Sequence, residues 1–282
     1  MHCNNCGADI SKSLERVCST CGEDIGFPNV RQVGRQEERD ALEKRYLDAV
    51  NAAKANGRDS ALKSFAEAAE KTCAVINLNL DHLHDFLTQD NLLYSTYALQ
   101  VTGQIRKPAE SQDDRNRRMA EALLFGHYGE EIRYAALSLD GTGLESYGPY
   151  AMMLKEIAIA KRAVLLEKNS FHFITQHNLQ FGQAVPLGYR AVWQERHKLA
   201  VAKLAGEISS KTLPDEYPGI LLFSDGNRET DRFIEVHIYG AFDNKAVESV
   251  KGKSSARNKS EEALLESIKD TLANAGKRWI EE

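Results

Sequence analysis

The stretch FIEVHIYG, residues 233–240, alternates apolar and other side chains as a β-strand does. Because successive strand residues point to opposite faces, Ile234, Val236 and Ile238 share one face. The opposite face carries Glu235 and His237 between two aromatic residues. Two interpretations follow. The stretch is either a half-buried antiparallel strand whose polar face meets water, or a strand that holds a catalytic glutamate at the floor of a cleft.

Length and composition narrow the class of protein. A chain of 282 residues is long enough for one large domain and a small module. Its apolar fraction of 42% and charged fraction of 27% are those of a packed globular protein. The absence of a long apolar run or an apolar leader predicts a soluble cytoplasmic protein without a membrane partner. The formal net charge of −5 argues against bulk non-specific binding to nucleic acid, although local basic patches remain possible.

Four of the five cysteines form two C-x-x-C pairs near the N-terminus, each followed by glycine: Cys3, Cys6, Cys18 and Cys21. A turn of this kind presents two thiolates to one metal ion, and glycine permits the backbone conformation that the turn needs. Disulfides are the alternative, which a cytosolic setting disfavours. We therefore predict a four-cysteine zinc ribbon over residues 1–30. Four thiolates fill a tetrahedral site, so the zinc is expected to be structural.

Periodicity organises the rest of the chain. Residues 26–30 are predicted to form a short linker. Helical spacing over residues 36–56 and 59–71 predicts a helical hairpin within a connector over residues 31–72. The charged residues of this hairpin are expected to lie on a solvated face. Strands and helices then alternate without a βαβ rhythm, which predicts an α+β domain over residues 73–282. Strands are predicted at residues 73–78, 134–139, 220–223 and 246–250, with the last pairing with the 233–240 strand. Helices are predicted at residues 189–208 and from N-caps at Asp81 and Ser260.

From residue 73 onwards, the order of features resembles the ADP-ribosyltransferase fold, particularly bacterial toxin members that modify nucleic acids. The resemblance rests on an opening strand and helix around Asn79, a middle segment with Tyr147 and Arg162, the strand of Glu235, and the terminal helix. It implies NAD as cofactor and Glu235 as the catalytic carboxylate. It also implies that Asn79, Tyr147, Arg162 and His237 contact NAD.

The implied chemistry is cleavage of the bond between nicotinamide and ribose, which passes through an oxocarbenium-like state. A carboxylate near the ribose stabilises that charge and orients or deprotonates the nucleophile. Tyr147 would stack on nicotinamide, and Arg162 or Arg106 would hold the pyrophosphate. Each residue also has a structural interpretation: Tyr147 as core, Arg162 as a salt-bridged surface residue, Arg106 as part of a basic loop and His237 as a hydrogen-bonded histidine.

Two functions therefore compete. The leading hypothesis is an NAD-dependent ADP-ribosyltransferase that acts on a macromolecule, nucleic acid or protein, with the ribbon aiding recognition. The rival is a non-catalytic adaptor whose ribbon binds nucleic acid or protein. Basic stretches at residues 106–118 and 251–259 could meet phosphates or simply face solvent. Metal-dependent hydrolysis at His82 and His84 is disfavoured, because helix residues two apart face different ways.

Overall fold

The computed structural model describes residues 1–95 and 111–282, without the side chains of residues 111–114, 116 and 117. An eight-stranded mixed sheet organises these residues, in the order β5-β4-β6-β2-β1-β3-β7-β8. All neighbours are antiparallel except β7 and β8, which are parallel. The strands are β1 (Cys73–Leu78), β2 (Ile132–Ser138), β3 (Tyr150–Leu154), β4 (Ala163–Leu166), β5 (Arg190–Val192), β6 (Glu235–Tyr239), β7 (Val247–Gly252) and β8 (Arg278–Glu281).

Ten α-helices accompany the sheet in the described ranges. They are α1 (Pro28–Val33), α2 (Gln36–Ala55), α3 (Asp59–Ala69), α4 (Leu80–Thr88), α5 (Ser111–Phe125), α6 (Glu156–Ile159), α7 (Ser170–Gln176), α8 (Arg196–Leu204), α9 (Tyr217–Leu221) and α10 (Lys259–Asn274). Within the described part of the chain, none of them has both the length and the apolar character needed to cross a bilayer.

Both faces of the sheet are covered. Ile234, Val236 and Ile238 lie in the main core, which also contains apolar side chains of α2, α3, α4, α8 and α10. Tyr239 belongs to a second cluster on the opposite face, with apolar side chains of α5 and α7. The predicted alternation of residues 233–240 is therefore present, but the polar face of β6 meets other elements instead of water.

The segment predicted as a linker, residues 26–30, instead leads directly into a helix. Proline is favoured in the first turn of a helix, where no backbone N–H is needed, and Pro28 begins α1. Asn29 is buried, and its Nδ2 donates to the carbonyl oxygens of Arg162 at 2.9 Å and His237 at 3.1 Å. This segment therefore joins the chain after the cysteines to the middle of the sheet.

Three other predicted elements are corrected. Residues 220–223 are not a strand, because α9 includes Ile220 and Leu221, and Phe223 forms only an isolated β-bridge with Arg232. The periodicity of so short an apolar run cannot separate strand from helix. The single helix predicted over residues 189–208 is divided, since β5 pairs with β4 before α8 begins. Strand β7 pairs with β3 and β8 rather than with β6.

Helix starts also differ by one or two residues. Asn258, not Ser260, caps α10, and its side chain accepts from the Glu261 N–H at 3.0 Å. Helix α4 begins at Leu80, which places Asp81 in the first turn instead of at the cap. Asp, Asn and Ser all favour the N-cap position, so neighbouring candidates are hard to separate from sequence.

Candidate zinc centre and the buried Glu235 cluster

The predicted convergence of four cysteines at the N-terminus is confirmed. The sulfurs of Cys3 and Cys21 are 3.7 Å apart, as are those of Cys6 and Cys18. All four sulfurs lie within 4.8 Å of one another. Zinc bound to four thiolates at about 2.3 Å places neighbouring sulfurs about 3.8 Å apart in a tetrahedron. The four residues therefore form a possible metal site that is compatible with zinc.

The two C-x-x-C turns have the same backbone design. The Gly7 N–H donates to the Cys3 carbonyl oxygen at 2.9 Å, and the Gly22 N–H donates to that of Cys18 at 2.8 Å. Both glycines have a positive φ, 75° and 77°, which other residues adopt only with strain. The turns belong to an internal repeat, C-x-x-C-G-x-D-I at residues 3–10 and 18–25. Sequence reasoning missed this repeat, although it is visible in the letters.

The thiols of the cluster are not equivalent. Backbone N–H groups of Thr20 and Cys21 lower the pKa of the Cys18 thiol to about 6. The Ala8 backbone is the largest single influence on the Cys6 thiol and lowers its pKa, but hydrogen bonds to the sulfurs of Cys21, Cys18 and Cys3, together with desolvation, outweigh it and raise the pKa to about 12. A cation is therefore needed before all four groups act as thiolate ligands, and its binding releases protons.

The ribbon, defined here as residues 1–26, is held in place by two side chains from the rest of the chain, which we call the α+β part. Arg31 of α1 donates to the carbonyl oxygens of Glu15 at 2.9 Å, Gly26 at 2.5 Å and Ser13. The hydroxyl of Tyr239, at the end of β6, donates to the Leu14 carbonyl oxygen at 3.1 Å. The bonds to Ser13, Leu14 and Glu15 hold the loop between the two cysteine pairs, and the bond to Gly26 holds the chain after the second pair.

Glu235, His237 and Ser170 form a second polar cluster, termed the Glu235 cluster. Glu235 Oε2 accepts from the Ser170 N–H at 2.9 Å and from the Ser170 hydroxyl, and lies 2.9 Å from His237 Nε2. Ser170 Oγ is 3.2 Å from the same Nε2. A serine-histidine-carboxylate triad uses both imidazole nitrogens, one for each partner. Here one nitrogen serves both, so the arrangement differs from a triad.

The Glu235 cluster is enclosed. Glu235 is 5% exposed and His237 is 2% exposed. The cavity next to His237 measures about 10 Å³, which is room for about one water molecule. NAD could reach Glu235 only if an element that covers this face, such as α1 or α5, moved away.

The other predicted NAD contacts are divided between two places. Arg162 lies at the end of β6, where its guanidinium donates to the carbonyl oxygens of Ala158 and Ala241, each at 2.8 Å. Asn79 occupies the N-cap position of α4 after β1, without a side-chain capping bond. The guanidinium carbon of Arg228 lies 4.6 Å from the centre of the Tyr147 ring. Since β2 separates β6 from β1, the structure brings Glu235 and His237 together but places Asn79 and Tyr147 elsewhere.

Other residues considered from the sequence either have a defined position in the structure or lie outside the residues that it describes. Arg106 and its neighbour Lys107 lie outside the described residues. His84 Nε2 is 3.2 Å from the hydroxyl of Ser267, as expected of a structural histidine. In the ranges that the structure describes, the four cysteines are the only His, Cys, Asp or Glu group with metal-binding geometry. Cys73 is half-buried, and burial raises the pKa of its thiol to about 11.

The helical hairpin contains charged side chains that are buried or paired, although the sequence predicts that its charges lie on a solvated face. Glu38 is buried and forms an ion pair with Arg190 at 2.7 Å, and its other oxygen accepts from the Gly188 N–H at 3.0 Å. Arg45 pairs with Glu167 at 2.8 Å. No sequence signal could identify these partners, because each pair joins residues more than a hundred positions apart.

Neither a scan against protein-family models nor a search of curated proteins found a match for this chain. The resemblance to ADP-ribosyltransferases therefore rests on the residues quoted above alone.

Proposed function

We propose that the chain is a zinc-binding protein whose ribbon is a recognition module carried by the α+β part. The observation that supports this most directly is the convergence of four sulfurs at spacings that suit tetrahedral zinc. The ribbon buries few apolar side chains, principally Cys3, Ile10 and Cys18. A module with so small a core needs a metal or another cross-link to fold.

The charge of the ribbon favours a protein over a nucleic acid as its partner. Residues 1–26 contain two basic side chains, Lys12 and Arg16, against four acidic ones: Asp9, Glu15, Glu23 and Asp24. Two minus four gives a formal charge of −2, and a zinc ion with four thiolates adds a further −2. Binding to nucleic acid depends on positive charge that neutralises phosphates, which this surface does not supply.

Zinc content and site-specific cross-linking together test this function. Metal analysis of the purified chain is expected to give one zinc per molecule. A photo-cross-linking residue at Thr20, on the exposed tip of the second cysteine turn, is expected to capture a protein partner in a zinc-dependent way. The matched control is the same probe at Ile157, which is exposed but remote in sequence from the ribbon. Capture of nucleic acid in place of protein, or equal capture from both positions, would contradict the proposal.

An NAD-dependent ADP-ribosyltransferase is the second candidate, favoured by one observation. Glu235 is a strand carboxylate that Ser170 and His237 hold in a fixed orientation, as catalysis at an oxocarbenium-like centre requires. The test is nicotinamide release from NAD by the wild type and by Glu235→Gln, with nucleic-acid and protein mixtures as acceptors. Release that the substitution abolishes would support transfer. Failure of the wild type to bind or consume NAD would leave the binding function alone.

A further inference from the structure

The cavity beside His237 has an unusual lining for its size. It lies between α1, α5, β4, β5 and β6, and it measures about 10 Å³. Val33 and Val164 contribute apolar walls, whereas Asn29, Arg190 and His237 contribute polar ones. Small cavities that are lined only by apolar groups stay dry, but polar walls favour an ordered water.

Two polar atoms in this wall have no partner among the residues that the structure describes. Asn29 is 1% exposed and uses its Nδ2 for two carbonyl oxygens, but its Oδ1 accepts no hydrogen bond there. Arg190 is 6% exposed and donates from Nη2 to Glu38 at 2.7 Å, but its Nε–H donates to none of the described groups. Buried donors and acceptors in native proteins are nearly always paired, directly or through water.

The chemistry of the two atoms identifies the ligand class. A molecule that satisfies both must accept from the Arg190 Nε–H and donate to Asn29 Oδ1. A metal cation cannot accept, and an anion such as chloride cannot donate. The volume admits nothing larger than water. We propose that this cavity is the site of one buried water molecule, which hydrogen-bonds to Arg190 Nε and Asn29 Oδ1.

This water would complete a continuous polar connection across the molecule. Glu38 of α2 binds Arg190, and Asn29 of α1 binds the backbone of His237. The side chain of His237 in turn binds Glu235. The water therefore links the helices that follow the ribbon to the Glu235 cluster, and it fixes the position of α1 over β6. This inference is independent of either proposed function.

A crystal structure of the full chain, at a resolution that shows ordered water, tests the site directly. The expected result is one density peak at hydrogen-bonding distance, about 2.7–3.2 Å, from both Arg190 Nε and Asn29 Oδ1. The absence of that peak, or a direct contact between the two side chains, would overturn the proposal.

Filling the cavity gives a test in solution. Val33→Ile and Val164→Ile each add one methyl group that would displace the water and leave the two polar atoms unpaired. Both are expected to lower the urea midpoint by more than Val75→Ile, which adds the same methyl at a buried valine in a separate cluster. A rise in midpoint would indicate that a dry void was filled. A rise, or a fall no larger than that of the control, would overturn the proposal.

Discussion

The ribbon and the Glu235 cluster both bring polar or metal-binding side chains together, but they depend on different parts of the sequence. The four cysteines lie within 19 residues of one another along the chain, and backbone turns position them. The bonds from Ser170 to Glu235 and from Asn29 to the His237 backbone span 65 and 208 residues. A site built by local turns can be read from spacing, whereas a site built by a sheet requires the whole core.

Loss of the metal site should produce the largest difference between the ribbon and the α+β part. Cys6→Ser is expected to abolish zinc binding and unfold the ribbon, because structural zinc contributes about 10–16 kcal/mol to the folding of small zinc domains. The α+β part should keep its fold, since its large core contains none of the four cysteines. Metal analysis together with hydrogen exchange across the chain measures both effects.

Cys73→Ser is the matched control, because Cys73 lies in the sheet and is not one of the four clustered thiols. This variant should retain the full zinc content. Equal loss of hydrogen-exchange protection in ribbon and sheet after removal of zinc would show that the two regions fold as one unit, contrary to the comparison.

The buried ion pair between Glu38 and Arg190 tests how much the stability of the α+β part depends on contacts between residues that are distant in the sequence. Glu38→Gln leaves Arg190 buried without its counter-charge, which should cost about 3–5 kcal/mol of unfolding free energy. Urea denaturation measures the loss. The control is Lys44→Ala, which breaks the exposed pair with Asp48 and should cost well under about 1 kcal/mol. Equal effects would mean that the buried pair contributes no more than a surface one.

The two regions also differ in what could be predicted from sequence. The cysteine spacing located the possible metal site, and alternation located β6 and its two faces. Amphipathic periodicity placed α2 and α3 within two residues of their ends. These signals depend only on residues that are close in the sequence, so they can be interpreted without knowledge of the fold.

The same local signals did not predict which strands and side chains pair when they are distant in the sequence. Residues 246–250 were correctly predicted as a strand, but short strands do not specify their partners, and β7 pairs with β3 instead of β6. Glu38 has the same amphipathic setting as its solvated neighbours in α2 and is buried only because β5 brings Arg190 to it. Ser170 acquires its contact with Glu235 through the pairing of β4 with β6.

Lys203, a half-buried lysine near β6, gives the next largest effect. Lys203 of α8 donates to the carbonyl oxygen of Phe233 at 2.7 Å, and burial lowers the pKa of its amine from 10.5 to about 8. Between these values the unfolded chain binds more protons than the folded one, so Lys203 raises stability as pH increases through this window. The rise should approach about 3 kcal/mol.

Urea denaturation between about pH 7.5 and pH 10, for wild type and Lys203→Met, isolates this effect. The variant cannot titrate at this position and should lose the rise, while both proteins share the titration of their remaining groups. A wild type whose stability follows that of the variant over the whole window would show that the amine stays solvated in the folded state. Lys203 would then be solvated like the charged groups of the ribbon, which are mostly exposed.

The smallest effect is at the contact between the two regions. Tyr239→Phe removes only the hydroxyl that donates to the Leu14 carbonyl oxygen, a bond worth about 0.5–1.5 kcal/mol. Hydrogen exchange should accelerate in residues 11–16 and stay unchanged in β6, because the phenylalanine ring still fills the cluster around α5 and α7. Tyr150→Phe, on β3, should accelerate neither region. Faster exchange in β6 of the Tyr239 variant would mean that the ribbon supports the sheet, and that the two regions are coupled in both directions.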